Sequence, residues 1–432
     1  MSDNEFSTHQ ESKITLPVIY QCYNPDTQDK AQEYVNKLLN PIGNNIEKSL
    51  IEGKYLVFDS NFECGNLNKV LAVSELEYNL YVNTDTNGKS KSQWFYFSVT
   101  NAKQCDVIKF NVENIQNYPY FIKDGMKPLV FSRTDGYWAD EVNNVQLVKN
   151  NLITQYEHRS IKVNDVKECQ NVKGNYYILS FDYKVKHEND LIYFAFWKPY
   201  SYTRLMLFLR NEEEALSKES YMSSDSLLEI EIPSLYYRRE QLGLSLCNIP
   251  LQLITITSKE DKTQENKKPY IIITARMHSG ETASSHKVEC IIKFLLSNNT
   301  LASTLRQTYI FLITPMLNPD GVVLGNNRYD ITGTDLNRCW KAPNPNLQPS
   351  IFLLKNLVSR LNNEQKTVSM YCDLHGHSQR LNSFMFMCYT LLNKVPLFTF
   401  FPKLFSQKCN IVKYSQCCFK LRPEIVIYVV IH

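Results

Sequence analysis

Two short stretches, His278-Ser279-Gly280-Glu281 and Asp373-Leu374-His375-Gly376-His377, carry side chains that bind divalent metals. Two imidazoles and a carboxylate are the donor set of a zinc site that leaves one position open. The step of three from His278 to Glu281 puts both side chains on one side of a turn. A bare His-x-x-Glu is common by chance, and a glutamate at a helix start also simply complements the helix dipole. His375 changes that weight, because half of the eight histidines (His278, His286, His375 and His377) cluster in this part of the chain. His375 and His377 share a face on an extended segment, so either can complete the set. His286 lies on the helix that Glu281 opens and reads as a surface or packing histidine.

Between the two stretches stand Asn318-Pro319-Asp320-Gly321 and Asp335-Leu336-Asn337-Arg338. Such a cluster can bind the carboxylate end of a peptide beside a metal. The planar fork of Arg338 offers two parallel bonds, and the Asn337 amide adds a third. The plain alternative is a salt-bridged loop. A metal-bound imidazole usually donates its other N–H to a carboxylate, and Asp335 or Asp373 can serve. Arg328 can stabilise the negative oxygen that develops on an attacked carbonyl.

These residues need a framework to position them. The 432 residues allow roughly two or three domains. Hydrophobic and charged fractions of 43% and 21% are ordinary globular values. Thirteen glycines leave no glycine-rich phosphate loop, and a net charge of +3 with no basic tract gives no sign of nucleic acid binding. The twelve cysteines lack any C-x-x-C pair, and Met1 to Lys13 lacks the apolar core of a signal peptide. The expectation is a cytoplasmic chain with reduced thiols. No apolar run reaches the roughly 18 residues of a membrane helix.

Residues 1–48 read as a polar leader with one amphipathic stretch, Asp29 to Leu39. Residues 49–200 show a period of two: Ile108, Phe110 and Val112, then Tyr177, Leu179, Phe181, Tyr183 and Val185. Asn83 to Gln93, with Asn87-Gly88 inside it, predicts a hairpin turn. An antiparallel sandwich follows, its aromatic residues being core. Residues 201–432 alternate strands with helices: a helix from Thr203, strands at Leu251–Thr257, Tyr270–Ala275, Tyr309–Thr314 and Val368–Leu374, and helices at Glu281–Leu296 and Ser350–Leu361. That is an α/β pattern, whose ligands gather at strand carboxyl ends.

Ala275-Arg276-Met277-His278-Ser279-Gly280-Glu281-Thr282, Asn318-Pro319-Asp320-Gly321, Gly325-Asn326-Asn327-Arg328-Tyr329, Asp335-Leu336-Asn337-Arg338-Cys339-Trp340 and Asp373-Leu374-His375-Gly376-His377-Ser378 run in the order found in the cytosolic carboxypeptidases. Phe58 to Leu67, Gln93 to Phe97 and Pro199 to Thr203 resemble the amino-terminal β domain of that family. The resemblance spans roughly residues 55 to 420. It implies an all-β antiparallel sandwich domain followed by an α/β carboxypeptidase domain, a mixed sheet flanked by helices that is incomplete at its C-terminus. It also implies one Zn2+ per chain held by His278, Glu281 and His375. Asn337 and Arg338 would grip the substrate's terminal carboxylate, Arg328 would polarise the scissile carbonyl, and Asp335 would orient His278.

Family members remove residues from protein and peptide C-termini, commonly glutamate from tubulin tails and side chains, so the resemblance implies a cytoplasmic enzyme associated with microtubules or cilia. Ser279 stands where the family usually has proline, which alters turn stiffness and not ligation. The family's general base is a glutamate on a later strand. Leu421 to His432 departs from the family, and Glu424 is the one carboxylate in that tail. Loss of such a base costs about 10² to 10⁴ in rate. The expectation is therefore a truncated zinc carboxypeptidase, the alternative an inactive form that binds zinc or tubulin tails without hydrolysis.

Overall fold

The computed structural model describes residues 16–21, 28–39, 54–87, 91–116, 120–152, 155–156, 172–173, 175–217, 228–232, 235–259, 268–377, 382–389, 395–421 and 428–430. The expectations for Met1 to Lys13, for Gly88 and for Glu424 lie outside them.

Alternation of apolar and polar residues buries one face of each strand in the first half of the chain. In Val107–Gln116, Ile108, Phe110 and Val112 are fully buried while Val107 is exposed. The strands form two sheets. One contains, in order, Val18–Gln21, Lys69–Ala72, Glu77–Tyr81, Val107–Gln116, Tyr176–Lys184 and Asn143–Asn150. The other contains Val57–Asp59, Tyr96–Thr100, Ile192–Ala195, Leu129–Ser132 and Trp138–Ala139. Phe58, Phe97, Phe110, Phe181 and Phe194 are buried together, with Phe110 and Phe194 centroids 4.9 Å apart.

Three details differ from expectation. Glu77–Tyr81 runs parallel to Val107–Gln116, so the sandwich is not wholly antiparallel. The leader contributes a strand to it, Val18–Gln21 pairing with Lys69–Ala72, while the helix Gln28–Leu39 buries Ala31, Val35 and Leu38 at helical spacing and lies beside Pro319–Val323 of the second half. The strands flanking the predicted hairpin, Glu77–Tyr81 and Tyr96–Thr100, belong to different sheets. Asn87 does take the positive φ that Asn-Gly signals (51°). Its polar neighbours Asn83 to Thr86 are nevertheless buried, each under 4% exposed, with Asp85 and Thr86 bonded to the second half of the molecule.

That second half is built on a mixed sheet with nine strands among the described residues. Their order is Leu228–Ile232, Leu235–Leu244, Pro250–Thr257, Ile310–Thr314, Tyr270–Ala275, Val368–His375, Tyr428–Val430, Phe384–Tyr389 and Cys418–Leu421. The central three, Ile310–Thr314, Tyr270–Ala275 and Val368–His375, are parallel, and the first two are buried on both faces, which explains their continuous apolar runs. Ile272 and Leu312 pack with Ile351, Leu354 and Leu357 of the helix Pro349–Asn363. Ile271 and Ile273 point the other way, into the core that holds Val288 and Ile292 of the helix Thr282–Leu296. Of the apolar run Ile425 to Ile431, Tyr428–Val430 is described; its backbone pairs with Val368–His375 on one side and Phe384–Tyr389 on the other.

Asn318-Pro319-Asp320-Gly321 lies at the end of Ile310–Thr314 but does not reach the metal-binding residues. Asn318 caps the short helix Pro319–Val323, its Oδ1 accepting from Gly321 N. Asp320 is buried and accepts from Ser245 Oγ at 2.5 Å. Nearby Asp330 accepts from Thr332 N, Thr332 Oγ1 and Thr334 N. Burial pushes Asp320 up to about 6 and, with the Asp320 charge adding to it, Asp330 up to about 7. A carboxyl whose folded pKa is raised contributes stability below its ordinary value of 3.8, and that contribution is lost as pH rises through about 7. An Asp330→Asn variant retains an acceptor oxygen without the charge. Its stability relative to wild type is expected to improve between pH 4 and pH 8, read from urea midpoints; a difference independent of pH would contradict this.

Candidate metal centre and substrate cavity

The strand Tyr270–Ala275 runs into a turn fixed by Arg276, whose φ of 56° redirects the chain. The Arg276 guanidinium is buried, 1% exposed, and donates to Ser279 O at 2.7 Å, Tyr200 O at 2.9 Å and Ser285 Oγ at 2.9 Å. Ser279 Oγ is buried without a partner, so the serine that replaces the usual proline adds no contact of its own. Glu281 occupies the N-cap position of Thr282–Leu296 but makes no capping bond with its side chain. Its role is therefore not helix capping.

The Glu281 carboxylate instead meets both histidines. His278 Nδ1 is 2.8 Å from Oε1, His375 Nδ1 is 2.9 Å from Oε2, and Gly376 N donates to Oε2 at 2.8 Å. The three ligand atoms lie within 4.8 Å of one another. Each imidazole rests its other nitrogen on a separate carboxylate: His278 Nε2 on Asp335 Oδ1 at 3.1 Å, His375 Nε2 on Asp373 Oδ2 at 2.7 Å. Ligating histidines are usually oriented in this way. Two nitrogens and a carboxylate facing one point, with outer carboxylates behind, fit a zinc ion bound by His278, Glu281 and His375. Both Asp335 and Asp373 thus serve, one for each histidine. His377 takes no part in the cluster and packs edge-on against Phe384, centroids 5.2 Å apart.

The charges agree with this arrangement. Burial alone would raise the Glu281 carboxyl, but His278 and His375 hold it well below the ordinary range. Burial would lower His375, but Asp373 and Glu281 on either side raise it. Asp373 is fully buried and also accepts from Thr274 Oγ1 at 2.8 Å. Asp373→Asn removes the outer charge and leaves the ligands in place. Zinc affinity, measured against a competing chelator, is expected to fall about 10- to 100-fold. An unchanged affinity would remove Asp373 from this role.

Asp335 links the metal centre to the residues expected to meet substrate. Its Oδ1 accepts from Asn337 N at 3.0 Å, starting the turn Leu336–Arg338. Its Oδ2 accepts from Arg328 Nε at 2.9 Å and Nη2 at 2.7 Å. Burial would raise Asp335, but His278 and Arg328 hold it below the usual range. Asn337 is buried and receives Trp340 Nε1 at 3.2 Å. Arg338 is exposed and its one described hydrogen bond goes to Asn337 O, so no carboxylate is paired with it among the described residues.

His278, Glu281, Arg328, Asn337, Arg338 and His375 all line one cavity of about 720 Å³. The spacing of residues in sequence missed the rest of its wall. Lys91, Gln93, Phe121, Trp197 and Lys198 come from the sandwich. Four cations, Lys91, Lys198, Arg328 and Arg338, line it, against Glu281 as the one carboxylate among the described residues there. His286 also lines it, against Tyr200; burial pushes it down to about 4, so it is neutral at physiological pH.

A mixed sheet with a two-histidine, one-glutamate centre at its strand ends defines the zinc carboxypeptidase class, and residues 226–404 match the zinc carboxypeptidase family. Residues 58–197 match the cytosolic carboxypeptidase N-terminal domain. Human cytosolic carboxypeptidase 6 is 34% identical over 389 residues, covering 88% of this chain and 70% of that one. Mouse cytosolic carboxypeptidase 1 is 32% identical over 367 residues. The chain belongs to the cytosolic carboxypeptidase family. It spans 28% of the length of the mouse protein. A metallo-carboxypeptidase from Burkholderia cenocepacia shares the fold, with a TM-score of 0.64 at 20% identity over 87% of this chain and 89% of that one. No helix among the described residues is long and apolar enough to cross a membrane. Among the described residues, Cys64, Cys247 and Cys372 are buried.

Proposed function

We propose that this chain is a zinc-dependent carboxypeptidase of the cytoplasm that removes C-terminal or side-chain residues, glutamate foremost, from proteins such as tubulin at microtubules or cilia. The observation that carries this reading is one cavity holding both the metal-binding triad and the guanidinium of Arg338, which pairs with no carboxylate among the described residues. Arg338, with the Asn337 amide beside it, binds the terminal carboxylate of a peptide. Arg328 faces the carbonyl of the last peptide bond and is held in place by Asp335. The excess of cations favours an acidic last residue. The ion, when bound, supplies Lewis acidity at the carbonyl and makes water more acidic.

The second reading, binding of zinc or acidic tails without hydrolysis, is favoured by one feature: Glu281, already committed to the histidines, is the one described carboxylate lining the cavity. A zinc-loaded chain incubated with a peptide ending in glutamate, and with the same peptide amidated, separates the readings. Release of glutamate from the acid supports hydrolysis; tighter binding of the acid without release supports the second reading. Arg338→Ala is expected to weaken binding of the acid about 10- to 100-fold and leave the amide unaffected. A wild type that treats acid and amide alike sinks both readings.

A further inference from the structure

Asp85 belongs to the sandwich, yet its carboxylate faces the other half of the molecule. Oδ1 accepts from Asn327 N at 2.6 Å, and Oδ2 accepts from Arg328 N at 2.7 Å and Tyr329 N at 2.8 Å. Three successive backbone amides converging on one anion form a nest. The neighbours of Asp85 extend the grip. Thr86 N and Oγ1 each donate to Asn326 Oδ1 at 3.1 Å, and Asn87 Nδ2 donates to Ile331 O at 2.9 Å. The segment of Asn326 to Asp330 is irregular backbone, so without Asp85 these partly buried amides would lose their protein acceptor. Asp85 is 1% exposed, and burial pushes its carboxyl up to about 6 although the three amides and the charge of Lys91 oppose the shift.

The segment held in this way has two contacts with the metal centre. The Asn327 carbonyl accepts from Gly280 N at 2.7 Å, bracing the turn between His278 and Glu281. Arg328 reaches across to Asp335, which in turn contacts His278. From these contacts we infer that Asp85 is a positioning residue of the active site: it sets the direction in which Arg328 is presented to a bound peptide. What Arg328 meets in the peptide rests on the proposed function; the hold on the segment does not.

The zinc-loaded full chain is compared as wild type, Asp85→Asn, Arg328→Ala and the double variant. Asn at position 85 keeps the size of the side chain and replaces one acceptor with a donor. Amide hydrogen exchange in residues 326–330 is expected to rise more than about tenfold in Asp85→Asn, while the helix Thr282–Leu296 keeps its protection. With a peptide ending in glutamate, kcat is expected to fall by up to about 10²-fold at nearly constant KM. In the Arg328→Ala background, Asp85→Asn is expected to cost nothing further. Unchanged exchange in residues 326–330 overturns the inference, whatever the activity. An equal loss of kcat with and without Arg328 also overturns it, because that is the mark of a general folding defect. If Asp85→Asn does not fold, Thr86→Val takes its place, and the same rise in exchange decides. A wild type that hydrolyses nothing sinks the enzyme reading alone, and exchange then decides on Asp85 by itself.

Discussion

Zinc uptake is expected to disappear in Glu281→Ala. Glu281 is the one group that both His278 Nδ1 and His375 Nδ1 face, and it also fixes Gly376 N. Its removal leaves two imidazoles without the anion between them. Even outer-sphere losses cost about 10- to 100-fold in affinity, so loss of a ligand is expected to exceed about 10²-fold. The side chain is 20% exposed at the first turn of a helix and caps nothing, so the fold should survive the change. A ligand bound only by the native state stabilises it by about 2.7 kcal/mol at a hundred times its Kd. Wild type should therefore melt higher with zinc, and Glu281→Ala should not. Metal analysis that still finds one tightly held zinc in the variant would show that the ligand set is wrong.

The second large effect is expected at Gly280. A Cβ built there lies 2.5 Å from the Asn327 carbonyl oxygen, a backbone atom with no rotamer to change. The turn and the Arg328 segment must part, and the bond from Gly280 N to Asn327 O is lost with them. Overpacking of this kind costs about 1–3 kcal/mol. Gly280→Ala should unfold at lower urea than wild type in the absence of metal and bind zinc more weakly in its presence. Gly376→Ala is the milder control: its Cβ would sit 3.2 Å from the Cβ and Cγ of Glu281, a contact that a shift of a few tenths of an ångström accommodates. A Gly280→Ala protein as stable as the control would mean that this contact is not close.

Much of this was legible in the chain itself. His278, Glu281 and His375 carry their chemistry in their types, and their place after buried strands follows from runs such as Ile271–Ala275. Spacing alone did not choose His375 over His377, since an extended segment offers both to the same side; the family resemblance chose His375, and it is His375 that faces Glu281 with Asp373 behind it. The amphipathic helix Gln28–Leu39 was readable, but its packing beside Pro319–Val323 of the second half was not, because short-range periodicity says which face is buried and not against what. Asn83 to Asn87 misled for a physical reason. Asn-Gly reports local backbone freedom, whereas these residues are organised by amides more than two hundred positions away, as the bond from Asn327 N to Asp85 shows. Asp320 misled in the opposite sense: its motif lies close in sequence to the turn Leu336–Arg338, yet its carboxylate faces Ser245.

The dependence on Arg276 bears on how such a catalyst can be transplanted. Its guanidinium ties the Ser279 carbonyl to that of Tyr200, a residue of the connector between the two halves. A fragment beginning after that connector would inherit every zinc donor and still leave a permanently charged group in the interior with one of its acceptors gone. Engineers who graft this centre onto a foreign scaffold should move the connector with it, and should treat the two halves as a single heritable unit.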